Sequence, residues 1–136
     1  MRDDPRWLRV NNTTSEEIPV FAAMRMTGVT DGVIDVAKPD TDSETSTILF
    51  NGPVVIPAGK EGLGTRTFPL TAAYDTGDGT PASEAKWGAA SGGWKLRSAK
   101  KGYMFIGAGA DGFGPVVEAG GLYTLDCGAL TITGPT

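Results

Sequence analysis

Glycine and proline recur along the whole chain and limit every apolar run to a few residues. The 136 residues include 20 glycines and 9 prolines, spread evenly rather than gathered in one linker. Because these residues interrupt helices and supply the backbone angles of tight turns, their spacing favours short strands. No window keeps the 3.6-residue apolar period of an amphipathic helix. The sequence therefore predicts an all-β fold, a β-sandwich or a small β-barrel with long Gly/Pro-rich loops.

The length fits one domain, which we expect to span residues 13–136. Residues 1–12 are interpreted either as an N-terminal arm or as the first strand of the body, and the sequence leaves both open. Roughly ten to twelve short strands are expected at this spacing of turn residues. The predicted strands include 6–10, 18–29, 32–39, 64–74, 94–98, 103–107, 114–120, 122–127 and 129–133.

Two local signals refine this prediction. Residues 47–59 have β-rich runs on both sides of Asn51-Gly52, a pair that is typical of a two-residue hairpin turn. Thr80-Pro81 is followed by Ala, Ser, Glu and Ala, which predicts one or two helical turns with proline at the first position. We expect this to be the only helix, and a short one.

The chain has no histidine and one cysteine, Cys127. Without histidine the usual zinc and copper ligand sets cannot form, and neither can a Ser-His-Asp triad or a Cys-His pair. A lone cysteine forms no intrachain disulfide. We therefore predict a protein with no cofactor, no metal and no enzymatic activity.

The net charge is −4 and the isoelectric point is near 4.7, which argues against a nucleic acid or an anionic membrane as partner. The N-terminal "MRDDPRWLRV" lacks the apolar core of a secretory signal, so we expect synthesis in a cytoplasm. No apolar run is long enough to span a bilayer. One cationic cluster is interpreted as a solvated strand edge protected by lysines, with a docking patch for an acidic partner as the alternative. It contains Lys95, Arg97, Lys100 and Lys101.

Asp75-Thr76-Gly77 has the tripeptide around which aspartic proteases place a catalytic carboxylate. Such a site needs two carboxylates sharing a proton, so a chain of this length would have to dimerise. The preceding "LTAAY" is only weakly apolar, and no helix-forming second motif follows. We interpret the segment as a loop in which Asp75 and Asp78 bond the backbone and the glycines take positive φ angles.

A glycine-rich pattern and two acidic segments resemble binding motifs, but we interpret all three as turns or loops. "GAGADG" (107–112) matches a dinucleotide-binding glycine pattern, but "FGPVVEAGG" after it cannot form the helix that binds pyrophosphate. "DTDSE" (40–44) and "DTGDG" (75–79) cluster the oxygen ligands that calcium prefers. Neither has EF-hand spacing, so we interpret both as solvated loops.

Large side chains are the remaining candidates for binding. Trp87, Trp94 and Tyr103 fall in one Gly-rich stretch, where exposed rings would stack on sugars or anchor a protein. Burial in the core is the alternative, because tryptophan is highly buried on average. Trp7 and Leu8 are candidate anchors within the N-terminal segment.

Three phrases of the sequence resemble small β-rich virion proteins of tailed bacteriophages and prophages. They are "VNNTTSEEIPVFAAMRMTGV" (10–29), "FNGPVVIPAG" (50–59) and "GTPASEAKWGAASGGWKL" (79–96). The resemblance covers roughly residues 10–107 and contains no catalytic motif. It implies a structural protein located in the virion and assembled in the bacterial host cytoplasm.

The resemblance and the composition together lead to one expected function. We expect a capsid decoration (cement) protein that binds the major capsid protein or other virion proteins, with a homo-oligomer such as a trimer as a further option. A minor tail, baseplate or fibre-associated protein is the alternative within that class. A carbohydrate-binding module using Trp87, Trp94 and Tyr103 is the alternative outside it.

Overall fold

Five short strands close into a barrel in the computed structural model, which describes residues 7–119. They are β1 (Leu8–Asn12), β2 (Ala23–Thr30), β3 (Val33–Ala37), β4 (Ile48–Asn51) and β5 (Glu61–Thr65). Their order around the barrel is β1, β3, β2, β4, β5, and β5 pairs with β1 to close it. β1 is parallel to β3, and the other neighbouring strands are antiparallel.

A four-stranded antiparallel sheet follows the barrel in the chain. It consists of β6 (Leu70–Ala73), β7 (Lys86–Trp87), β8 (Tyr103–Phe105) and β9 (Phe113–Glu118), in the order β6, β9, β8, β7. Within residues 7–119 the helical structure is limited to one 3₁₀ turn at Thr76–Asp78. The prediction of an all-β fold is confirmed.

An apolar cluster fills the barrel, and two glycines of β5 make room for it. A Cβ atom on Gly64 would lie 2.9 Å from side-chain atoms of Leu49 and Met24, and one on Gly62 would collide with Ile56. Side chains alternate along a strand, so Leu63 between the glycines points outward and is half exposed. The cluster comprises Val10, Ile18, Ala22, Met24, Val36, Leu49, Ile56 and Trp94.

A second cluster lies between the barrel wall and the four-stranded sheet, and β4 contributes to both clusters. All four β4 residues are buried: Leu49 points into the barrel, whereas Ile48 and Phe50 pack toward the sheet. β4 is therefore a wall shared by the two halves of the molecule. The second cluster comprises Ala23, Ile48, Phe50, Leu70, Ala72, Tyr74, Trp87, Ala89, Leu96, Tyr103, Phe105 and Val116.

The N-terminal segment begins the barrel where the structure describes it. Leu8–Asn12 is hydrogen-bonded to β3 on one side and to β5 on the other, as a first strand would be. Asn12 at its end is fully buried, and its amide group donates to the Ile56 carbonyl at 3.1 Å and accepts from the Thr14 N–H at 2.9 Å. This side chain ties the "NNTTSEE" loop to the segment beyond β4.

The predicted hairpin at Asn51-Gly52 is wrong. β4 pairs with β2 and β5, so the chain returns along β4 at Glu61–Thr65, and residues 53–59, the predicted second arm of the hairpin, form no ladder with β4. Instead, Ile56 forms an isolated bridge with Ile18. The Asn-Gly pair serves packing instead of a turn: the Asn51 side chain is buried, and the Trp7 ring packs against Gly52.

The helix predicted from Thr80-Pro81 is also wrong. Hydrogen bonds tie this segment to other parts of the sheet: the Pro81 carbonyl accepts from Gly109 at 2.9 Å and the Glu84 N–H donates to Phe105 at 2.6 Å. Glu84 has φ 71°, which is incompatible with a helix. Residues 94–98 form isolated bridges rather than a strand. The strands predicted at 122–127 and 129–133 lie outside the described residues.

Because β4 is shared, we predict that truncating Phe50 destabilises both halves together. Phe50→Ala should lower the free energy of unfolding by about 3–5 kcal/mol, the range for deleting a buried aromatic ring. Urea denaturation followed by tryptophan fluorescence and by far-UV circular dichroism should give one coincident transition. Val29→Ala, at a position 69% exposed on β2, is the control and should change stability little. Separate transitions for the two signals would contradict the shared wall.

Candidate partner-binding surface

Two of the aromatic candidates, Trp87 and Tyr103, are core residues rather than exposed rings. Tyr103 is 1% exposed and its ring packs against Phe50 at 5.1 Å and Phe68 at 5.9 Å between centroids. Trp87 is 5% exposed and meets Tyr74 edge to face at 5.6 Å. Burial raises the pKa of the Tyr103 hydroxyl, with the nearby Glu118 carboxylate adding to the effect. Their assignment to partner binding is therefore corrected.

Trp94 is likewise part of a core, in this case that of the barrel. Its ring is 8% exposed, its Nε1–H donates to Glu16 Oε1 at 3.2 Å, and the Lys38 ammonium lies 5.8 Å from the ring centroid. The Lys38 hydrogen bond, with that from Trp94, lowers the pKa of Glu16. A small β domain has few large groups with which to fill two cores, and Trp87 and Trp94 are used for this purpose. The three rings do not form an exposed platform for sugar.

Trp7 and Leu8 lie at the surface end of the barrel and are half-buried. Leu8 packs against the barrel cluster. The Trp7 ring lies so close to Gly52 that a Cβ atom there would be 2.9 Å from ring carbon Cζ3. Glycine is thus needed at position 52 for this close approach. Of the five predicted partner-binding residues, these two have surface-accessible side chains.

Trp7 lines two neighbouring grooves, which also share Asn51 and Pro53. The first, here called the β5 groove, has a volume of about 410 Å³, and its lining includes Trp7, Pro53, Val54, Val55, Glu61 and Leu63. The second, here called the β6 groove, has a volume of about 500 Å³. Its lining includes Trp7, Phe21, Thr67, Phe68, Leu70 and Thr71.

Residues that the sequence did not identify dominate the β5 groove. Four large apolar side chains are markedly exposed in the described part of the chain, and two of them, Val54 (72%) and Leu63 (50%), line this groove. Scattered apolar side chains are ordinary at a protein surface, whereas grouped ones mark interaction sites. The Gly-x-Gly spacing around Leu63 was the available signal, because it turns Leu63 outward.

Asn51 holds the segment that carries Val54. Its side chain is 2% exposed, and its amide nitrogen donates to the Pro19 carbonyl at 2.8 Å and the Val54 carbonyl at 2.9 Å. Both hydrogens of the amide are used, so this group fixes the end of β4 to two loops. The position of the β5 groove therefore depends on a buried amide.

We predict that Asn51→Ala lowers the free energy of unfolding by about 1–3 kcal/mol, because the buried side chain loses its two hydrogen bonds to the partly buried carbonyls of Pro19 and Val54. Urea denaturation measures the change. Asn11→Ala is the matched control: Asn11 is half-buried, its hydrogen bond to Asp35 is long at 3.4 Å, and a loss of about 1 kcal/mol or less is expected. Equal losses for the two variants would contradict the role assigned to Asn51.

Asp75 is the N-cap of the 3₁₀ turn, so Asp75-Thr76-Gly77 forms a turn as interpreted; Gly79 has the expected positive φ (96°), whereas Gly77 does not. Its Oδ1 accepts from the Gly77 N–H at 2.8 Å. The neighbouring Asp78 binds the Arg97 guanidinium at 2.7 and 3.0 Å, and Arg97 also lies 3.6 Å from Asp75. In an aspartic protease the two carboxylates share a proton, whereas here both carboxylates lie beside the Arg97 guanidinium.

The other loop motifs also have structural uses. "GAGADG" turns directly into strand β9 rather than into a helix, as its turn interpretation predicted. Asp42 in "DTDSE" pairs with Lys100 at 3.1 Å and accepts from the Ser91 N–H at 2.8 Å. Among residues 7–119, no group of three potential metal ligands lies close together. The cationic cluster is partly neutralised by these acidic loops, through Arg97 and Lys100.

The Asp78–Arg97 pair predicts a specific dependence of stability on pH. The Arg97 hydrogen bonds, with that from the Ser98 N–H, lower the pKa of Asp78 from 3.8 to about 2. A carboxylate whose pKa is lowered by folding stabilises the fold above its unfolded pKa, and this contribution is lost as the pH falls toward 2. Asp78→Asn should thus lower the urea midpoint at pH 6, and the difference from wild type should shrink between pH 4 and pH 2.

Glu17→Gln is the control for this titration, since Glu17 is exposed and has no hydrogen bond to another described residue. Its urea midpoint should follow that of the wild type at each pH. A difference between Asp78→Asn and wild type that stays constant from pH 6 to pH 2 would contradict the assignment.

Comparison with known proteins gives no family assignment. No protein-family model, no curated protein and no solved structure matches the chain. No helix formed by residues 7–119 is long and apolar enough to cross a membrane.

Proposed function

We propose that this chain is a non-enzymatic structural protein of a bacteriophage virion, and that it decorates the capsid by binding the major capsid protein through the β5 groove. The observation that carries the proposal is the grouping of exposed Val54 and Leu63 around the half-buried Trp7 ring. Aromatic anchors beside apolar pockets are typical of protein–protein contacts. The resemblance of residues 10–107 to small virion proteins supplies the identity of the partner.

The chemistry of the groove favours a protein partner over the alternatives. Among the described residues that line the groove, Glu61 is the charged one, and it is paired with Arg9 at 2.9 Å, so this lining presents mainly apolar surface. A carbohydrate would need exposed rings with polar groups around them, and Trp87, Trp94 and Tyr103 are buried. An apolar contact of this kind suits a lattice in which the same site repeats many times. A trimer placed on a lattice axis would gain avidity from it.

The test is the binding of purified variants to particles that lack this protein, measured by co-sedimentation. Val54→Asp introduces a charge into the groove and should weaken binding by at least about tenfold, the scale of a hot-spot residue. Val29→Asp is the matched control, because Val29 is 69% exposed and Val54 is 72% exposed. The control should bind like the wild type.

Two results would contradict the proposal. One is equal binding of the Val54→Asp and Val29→Asp variants, which would remove the β5 groove from the interface. The other is failure of the wild type to bind the particles. Electron microscopy of gold-labelled protein separates the two virion locations: label over the shell supports decoration, and label confined to tails or fibres supports the alternative component.

A further inference from the structure

The β6 groove combines aromatic rings with hydroxyl groups. Its volume of about 500 Å³ lies within the range of small-ligand sites, about 300–1,000 Å³. Trp7, Phe21 and Phe68 contribute the rings, and Thr67 and Thr71 contribute hydroxyl groups. None of the described residues that line the groove is charged. Among residues 7–119 neither hydroxyl has a hydrogen-bond partner, so both are free to bond a ligand.

Neighbouring residues hold two of these rings in place. The Phe68 ring stacks on Tyr103, with the ring centroids 5.9 Å apart. The Trp7 ring packs against Gly52, where a Cβ atom would not fit. Both side chains are half-buried, so part of each ring remains accessible from the groove. Rings that are fixed before binding lose little conformational freedom when a ligand packs on them.

The third ring, that of Phe21, stands on a strained backbone. Phe21 has φ 57°, a conformation that a bulky side chain rarely adopts and that is concentrated at ligand sites. Its N–H donates to the Gly52 carbonyl at 3.0 Å, and its carbonyl accepts from the Ala73 N–H at 2.9 Å. The ring also meets Phe113 edge to face, with the centroids 5.3 Å apart. These contacts hold the strained residue at the groove.

The outer edge of β6 adds two backbone groups to the hydroxyls of the groove. The Pro115 carbonyl accepts from the Ile106 N–H at 3.0 Å, so Pro115 on β9 faces β8 rather than β6. Thr71 is the β6 partner of Pro115 and therefore directs its own N–H and C=O away from β9. Among residues 7–119 no hydrogen-bond partner meets these two groups. The groove thus has both a donor and an acceptor of the main chain.

This open edge is too short for the addition of a peptide strand, which depends on a run of main-chain hydrogen bonds. Residues two apart face the same side of a strand, so Pro69 and Ala73 flank Thr71 on the outer side. Proline has no N–H to donate. Ala73 already donates to the Phe21 carbonyl and accepts from the Leu96 N–H at 3.0 Å. A small ligand with adjacent hydroxyl groups, each both donor and acceptor, needs no longer edge than Thr71.

We propose that the β6 groove binds an uncharged saccharide. The C–H face of a sugar ring packs on the aromatic rings of the groove, and sugar hydroxyl groups bond the side chain of Thr67 and the side chain and backbone of Thr71. A charged sugar is disfavoured, because its carboxylate would lose hydration and the described lining holds no cation to pair with it. The site is separate from the proposed virion contact, which uses Val54 and Leu63 in the β5 groove.

The test begins with the full-length chain on an array of neutral oligosaccharides (glucans, galactans and N-acetylglucosamine oligomers), sialylated oligosaccharides and uncharged peptides. We expect binding to neutral sugars and weaker binding to sialylated ones. Isothermal titration calorimetry with the best-bound sugar then compares variants. Thr71→Val removes a hydroxyl at nearly constant volume and should weaken binding about five- to tenfold. Thr80→Val is the matched control, because Thr80 is exposed and does not line the groove, and it should bind as the wild type does.

Three results would overturn the proposal: no binding of the wild type to any sugar on the array, binding to the peptides alone, and equal sugar affinities of the Thr71→Val and Thr80→Val variants. Val54→Asp separates this site from the virion contact. Val54 does not line the β6 groove, so this variant should keep the wild-type affinity for sugar while its binding to particles falls. Loss of sugar binding in Val54→Asp would contradict a separate site.

Discussion

Burial of β4 on both faces holds the two halves of the molecule together. Leu49 completes the barrel interior, and Ile48 and Phe50 form part of the layer on which the four-stranded sheet packs. Neither core is large, and each would expose apolar surface without the other. A four-residue strand with no exposed side chain thus sets where the sheet lies on the barrel.

The accessible apolar surface follows from the same arrangement. The aromatic rings of the sheet are used to cover β4, so the exposed apolar groups of the described chain are mainly aliphatic. Asn51, the last residue of β4, fixes the loop that presents Val54. The glycines of β5 leave room inside the barrel for the side chains of neighbouring strands, and Leu63 between them points outward. The β5 groove is therefore built from the outer ends of the elements that make the barrel.

The fold class was predictable, since turn residues at short intervals leave little else than strands. Several loop functions were also predictable, including the capping role of Asp75, because they depend on neighbouring residues alone. Strand pairing could not be predicted. Asn51-Gly52 is a local hairpin signal, whereas β4 pairs with β2 and β5, which lie farther away in the sequence than a two-residue turn allows. Only part of the candidate surface could be predicted from the sequence. Trp7 was identified by its size and position, whereas Val54 and Leu63 become a site only once burial is known.

We propose that this chain is a structural component of a virion shell, and its abundance in particles tests that role. The most direct test is the copy number of this chain in virus particles purified from its source, measured by quantitative mass spectrometry against the major coat protein. We predict hundreds of copies, comparable to the coat protein. Absence of the chain from purified particles would contradict the account.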